Sequence, residues 1–124
     1  MLKNEPPRTI AGEPPRRWLA DEYFDLIVWY QPDGGIDGFQ LCYDKLRKER
    51  ALTWIASQGF SHLAIDAGES KPRSNRTPML VADGVFPAEL VQAEFARRSQ
   101  LIDEDLRRLV LDKIDEYVSR ARYA

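Results

Sequence analysis

The sequence contains one cysteine and one histidine, and both side chains are of types that act in catalysis. Cys42 and His62 fall on neighbouring predicted strands. A thiol beside an imidazole can form a nucleophile with its general base. Because successive side chains of a strand point to opposite faces, Cys42 is predicted to lie away from the apolar face of its own strand. We therefore favour a small apolar filler at Cys42 and a surface or hydrogen-bonded histidine at His62, and we predict no catalytic residue.

Acidic residues suggest two kinds of metal site. Asp33, Asp37 and Asp44 occupy the first, fifth and twelfth positions of a calcium-loop pattern, with Gly38 at the sixth. The third position is Gly35, where a ligand side chain is needed, and the flanking segments are typical of strands rather than helices. The pattern therefore favours a glycine-rich hairpin turn.

A second metal-site pattern is the E-x-K tripeptide of Glu69 and Lys71, with Asp44 and Asp66 upstream. Some metal-dependent nucleases use such a set, in which carboxylates hold Mg²⁺ and the lysine stabilises developing charge. A glycine and a proline bracket the tripeptide here, which favours a loop over a core strand. We predict no metal site and no cofactor.

Basic side chains form two clusters that could bind an anion if the fold brings them together. Phosphate groups, including those of nucleic acid, would be the expected ligands. The alternative is a pair of solvated loops, because nearby carboxylates weaken the field and the chain has a net charge of -2. We expect no nucleic-acid partner. The candidate anion-binding residues are Lys45, Arg47, Lys48, Arg50, Lys71, Arg73 and Arg76.

Apolar and polar residues alternate with a period of two, as in β-strands, in several segments around these candidate residues. Residues 23–30 and 36–44 predict a β-hairpin around the turn signal of residues 32–35. Residues 50–56 and 60–67 predict a third and a fourth strand, and residues 79–82 a short fifth. Sequential strands with short connections favour an antiparallel meander.

The apolar period changes from two to 3.6 at Phe86, next to Pro87, a residue that favours the first turn of a helix. A short helix is predicted to about Gln100, and a second from about Asp103, although a single bent helix remains open. The second has an apolar stripe of seven residues. These are Leu106, Leu109, Val110, Ile114, Tyr117, Val118 and Ala121.

Strands followed by helices predict an α+β protein, a four- or five-stranded antiparallel meander with two C-terminal helices packed on one face. The length of 124 residues fits one domain. We expect that domain over residues 18–124, preceded by an extended and poorly ordered Pro-rich arm over residues 1–17.

Composition limits the cellular setting. The hydrophobic fraction of 44% and the charged fraction of 31% are typical of globular domains. A single cysteine excludes an internal disulfide, which fits a reducing compartment. The first 20 residues have no secretory signal pattern, and the longest apolar stretch, Leu26–Tyr30, is shorter than the roughly 20 residues that cross a bilayer. We expect a cytoplasmic location and no membrane partner.

The sheet has two faces, and the predicted helices can cover only one. Ile27, Trp29, Thr53 and Ile55 are predicted to lie on the other face. An exposed apolar patch of this kind usually marks a protein partner, a homodimer interface or a ligand groove. The alternative is that the N-terminal arm and Trp18 cover it.

Three segments carry a resemblance to other sequences. The run Gly38–Lys45, followed by Glu49–Trp54 and preceded by Asp25–Trp29, resembles a group of short uncharacterised bacterial proteins over residues 18–87. The resemblance implies a bacterial origin and a compact domain. It implies no activity and no site.

The resulting expectation is a binding or interaction module, not an enzyme, that self-associates or binds a protein partner through its exposed sheet face. The alternative is a small enzyme or ligand-binding domain with a pocket between sheet and helices near the basic loop of residues 68–77.

Overall fold

The computed structural model describes residues 1–5, 16–66, 79–82 and 86–123. Within these residues, seven strands form one antiparallel sheet whose spatial order equals the chain order. Two helices follow the sheet along the chain. The predicted α+β class with an antiparallel meander is therefore confirmed. The elements are β1 (Lys3–Asn4), β2 (Arg16–Ala20), β3 (Phe24–Tyr30), β4 (Ile36–Tyr43), β5 (Arg50–Ile55), β6 (Gly59–Asp66), β7 (Met79–Ala82), α1 (Ala88–Arg98) and α2 (Glu104–Tyr123).

The sheet has more strands than the four or five predicted, and the additional ones come first in the chain. β1 pairs with β2, and β2 pairs with β3, both antiparallel. Leu2 is fully buried, so both described ends of the expected N-terminal arm belong to the folded body. The sequence did not indicate β1 and β2 because prolines flank short segments that carry several charges. Residues 6–15 of the arm lie outside the described residues.

Pairing register divides the side chains of the sheet between two faces. Leu19, Leu26, Leu41, Leu52 and His62 are successive cross-strand partners on one face, which we call the core face. A second row of successive partners lies on the other face, which we call the open face. These partners are Trp18, Ile27, Gln40, Thr53 and Ser61.

The hydrophobic core forms where side chains of both helices meet the core face. The Phe24 and Phe95 rings lie 5.7 Å apart, and the Phe60 and Tyr117 rings 5.4 Å apart. Lys113 of α2 lies over the Trp54 ring at 4.3 Å. The sheet residues of this core cluster all come from the core face. The buried cluster comprises Leu2, Leu19, Phe24, Leu26, Val28, Phe39, Leu41, Tyr43, Leu52, Val91, Phe95, Ile102, Leu106, Val110 and Ile114.

The two helices are separate, which resolves the alternative of one bent helix. α1 ends at Arg98, and residues 99–103 turn the chain before α2 begins. The Arg107 side chain donates to the Ser99 hydroxyl at 3.0 Å and to the Ala96 carbonyl at 3.2 Å, so α2 is tied to the end of α1. Ile102 inserts into the core from this turn.

A buried carboxylate joins the helices to the sheet. Asp21, in the turn between β2 and β3, accepts the backbone N–H groups of Tyr23 and Phe24 at 2.8 and 2.7 Å. Arg98 of α1 donates to the same carboxylate at 3.2 Å, and the Asp21 side chain is only 1% exposed. The Lys45 ammonium donates to the Asp21 carbonyl at 2.8 Å. Asp21 thus links a turn, a helix and the segment that follows β4.

The apolar stripe of α2 differs in detail from the predicted one. Leu106, Val110 and Ile114 are buried, whereas Leu109 and Val118 are only partly buried. Leu111 packs against the core instead of Leu109. The buried stripe of α2 is therefore narrower than the predicted stripe and slightly rotated around the helix axis. Leu106, Val110 and Ile114, spaced four residues apart, form the row that covers the sheet.

We expect Ile114→Ala to lower the free energy of unfolding by about 2–5 kcal/mol, because it leaves a cavity between α2 and the sheet. Leu109→Ala is the matched control and should cost clearly less, since Leu109 lies outside the buried cluster. Urea unfolding of both variants measures the difference. An equal or larger cost for Leu109→Ala would contradict this packing.

Candidate functional site

The open face is organised in three rows that run across the strands. The middle row contains Trp18, Ile27, Gln40, Thr53 and Ser61. On one side of it lies the Arg16 row, formed by Arg16, Trp29, Gly38 and Ile55. On the other side lies the Asp25 row, formed by Ala20, Asp25, Cys42, Ala51 and Leu63.

The four residues predicted for a partner face lie together on this surface. Ile27 and Trp29 come from β3, and Thr53 and Ile55 come from β5, so the two pairs flank β4. All four are partly exposed, and none belongs to the buried core cluster. Gln40 lies between Ile27 and Thr53, and its amide donates to the Thr53 hydroxyl at 3.2 Å. The centre of the face therefore combines apolar side chains with an internally paired polar couple.

Gly38 occupies the centre of the Arg16 row, between Trp29 and Ile55. A Cβ atom at this position would lie 2.4 Å from the Trp54 carbonyl oxygen and 3.1 Å from Ile55 Cγ1. The backbone of β5 thus approaches β4 too closely for any other residue. Without a side chain at Gly38, the flanking Trp29 and Ile55 side chains form the surface here.

One end of the open face carries a small charged network. Asp25 accepts the Trp18 indole N–H at 3.1 Å and the Lys45 ammonium at 3.1 Å. Glu49, just before β5, lies close enough for the Asp25 charge to act on it. Burial, and then the negative charge of Asp25, raise the pKa of Glu49, whereas Lys45 lowers it. We call this group of Asp25, Lys45 and Glu49 the Glu49 end.

The opposite end of the open face carries one cation. Arg16 is paired across strands with Trp29 and is partly exposed. Within the described part of the chain, no carboxylate lies within ion-pair distance of Arg16 and no cation within that distance of Glu49. The neighbouring Arg17 lies on the core face and pairs with Asp103 at 2.8 Å. We call this side of the surface the Arg16 end.

Cys42 and His62 do not form a pair. Cys42 lies on the open face, and His62 lies on the core face, so the sheet separates them. Cys42 is 5% exposed, and its sulfur is 3.9 Å from the Gln40 side-chain oxygen. Burial, followed by the charges of Glu49 and Asp25, raises the Cys42 pKa to about 12. A thiol with this pKa is protonated at neutral pH and a poor nucleophile.

His62 belongs to an aromatic cluster beneath the helices. Its ring stacks on Tyr43, and a hydrogen bond of 2.5 Å joins the Tyr43 hydroxyl to His62 Nε2. Phe86 and Tyr117 close the cluster from the helical side. Arg50 lies over the Tyr43 ring at 5.2 Å. The structure thus brings His62, Tyr43 and Arg50 together at the core face, a grouping that the sequence did not indicate.

The described members of the predicted anion site do not converge. Lys45 reaches Asp25 on the open face, whereas Arg50 lies on the core face over Tyr43. Arg47 and Lys48 are exposed in the connection between β4 and β5. Lys71, Arg73 and Arg76 lie outside the described residues. Lys45 and Arg50 are separated by the sheet because successive side chains along a strand point to opposite faces.

The calcium-loop residues form a hairpin turn and its flanking strand. Asp33 accepts the Gly35 backbone N–H at 2.8 Å, as in a turn stabilised by an aspartate. Gly34 has a φ of 95°, which suits glycine in this turn. Asp44 lies beyond the far end of β4. Among the residues that the structure describes, no group of three potential metal ligands is found. Glu69 and Lys71 of the E-x-K pattern lie outside them.

Comparisons with known proteins provide no assignment. No family model, curated protein or solved structure matches this chain. A separate finding concerns the bilayer: neither of the described helices combines the length and the apolar character that crossing a membrane requires.

The residues of the two charged ends were not predicted as part of one surface. Arg16 was assigned to the N-terminal arm, and Lys45 was grouped with other cations by sequence proximity. One signal was present, since Arg16 and Trp18 are two residues apart and share a face if a strand starts at Arg16. The prolines at positions 14 and 15 obscured it.

Cys42 should react with iodoacetamide far more slowly in the native than in the unfolded protein at neutral pH. A pKa of about 12 instead of 9.0 lowers the thiolate fraction roughly 1,000-fold. Mass spectrometry of native and urea-unfolded samples measures both rates, with Cys42→Ser as the blank. Equal rates would contradict a buried, protonated thiol.

Because the pKa of Cys42 is higher in the folded than in the unfolded protein, the free energy of unfolding should fall as the pH rises from about 9 towards 12.

Proposed function

We propose that this protein is a binding module whose open face binds a protein partner. The observation that carries the proposal is the asymmetry of the sheet. Every described contact of the helices with the strands lies on the core face, whereas Ile27, Trp29, Thr53 and Ile55 share the opposite face and remain partly exposed. Contiguous exposed apolar side chains on a sheet are typical of interaction surfaces.

The composition of the face suits a protein surface as the ligand. Tryptophan and isoleucine provide large apolar contacts, and tryptophan is among the residues that most often dominate binding energy. Gln40 and Thr53 already satisfy one another, so covering them costs little. Lys45 is paired with Asp25, which leaves Arg16 as the one unpaired cation among the described residues of the face. Such a surface lacks the basic stripe that nucleic acid requires.

Several finer expectations belong to the same proposal. A cytoplasmic location is supported by the single buried cysteine, which suits a reducing compartment. A bacterial origin is supported by the sequence resemblance alone. Neither depends on which partner the open face binds.

The direct test is site-specific photocrosslinking in the cells that produce the protein. A benzoylphenylalanine residue at Thr53 lies at the centre of the open face, and the matched control position is Asp112, which is exposed on α2. We expect protein adducts at Thr53 and few at Asp112. The adducts should disappear when Trp29→Ala is added, because the main apolar anchor is lost.

The absence of adducts at Thr53 above the level at Asp112 would contradict a binding role for the open face. Folding of each variant is checked independently by far-ultraviolet circular dichroism and urea unfolding. Because Trp29 lies outside the core cluster, Trp29→Ala should leave most of the stability intact.

A second candidate function, ligand binding between sheet and helices, is favoured by one specific observation. Arg50, Tyr43 and His62 meet in a single cluster at the end of the core face. An arginine beside an imidazole and a phenol hydroxyl is a set that recognises phosphate or carboxylate groups.

This second candidate predicts that inorganic phosphate shifts the NMR signals of His62 and Tyr43 in the folded protein. The shift should be lost in Arg50→Gln and kept in Lys48→Gln, a matched change in the exposed connection after β4. If phosphate leaves the His62 and Tyr43 signals unchanged, ligand binding at this cluster is wrong.

A further inference from the structure

We draw no further inference here: the strongest candidate, the partly exposed apolar patch of Ile27, Trp29, Thr53 and Ile55 on the open face of the sheet, belongs to the surface already proposed for binding, and nothing in the described part of the structure shows what covers it.

Discussion

The buried carboxylate of Asp21 ties the end of α1 to the turn between β2 and β3. It accepts two backbone N–H groups of its own turn and the guanidinium of Arg98 at the end of α1. The backbone carbonyl of Asp21 accepts a hydrogen bond from the Lys45 ammonium. Arg98 also binds Glu22 and Glu94, and its carbonyl accepts the Leu2 N–H that positions the first strand. A charge that is 99% shielded from solvent is tolerated only with such partners, so the position of α1 and the β2–β3 turn depend on one another.

Among the described residues, the helices pack on one surface of the sheet and leave the other without a helix. Antiparallel sheets commonly bury one face and leave the other in water, but the outer face is then usually polar. Here the open face retains two tryptophans and two isoleucines together with a few charges. The same alternation that builds the core also builds this second, partly exposed apolar surface.

Much of the fold was predictable because strands β3 to β6 and helix α2 have strong periodic patterns. The hairpin turn, the change of period near Phe86 and the α+β order all follow from local residue types. β1 and β2 were not predictable, since their stability comes from pairing with β3 and from the burial of Leu2 rather than from local preference. Leu109 was wrongly predicted to be buried. Sequence spacing identifies the apolar side of a helix but not which residues at its edge contact the sheet.

The candidate site was predictable only in its apolar part. Ile27, Trp29, Thr53 and Ile55 follow from the period of two, once the opposite set is assigned to the core. The charged ends required the register between β2 and β3, which places Arg16 and Asp25 on one surface from two separate segments. The His62 cluster likewise depends on β4 and β6 both pairing near β5, and no spacing in the sequence reports that arrangement.

The order of elements along the chain has a consequence for how the protein is made. The meander can form from neighbouring segments, but Arg98 follows Asp21 by 77 residues and the helices come last. At a synthesis rate of about 5–20 residues per second, the last strand is made roughly 1–3 seconds before Arg98. During that interval the nascent sheet exposes both of its apolar faces to water. The newly made chain should therefore depend on the ribosome surface or a chaperone most strongly just before its final helix is complete.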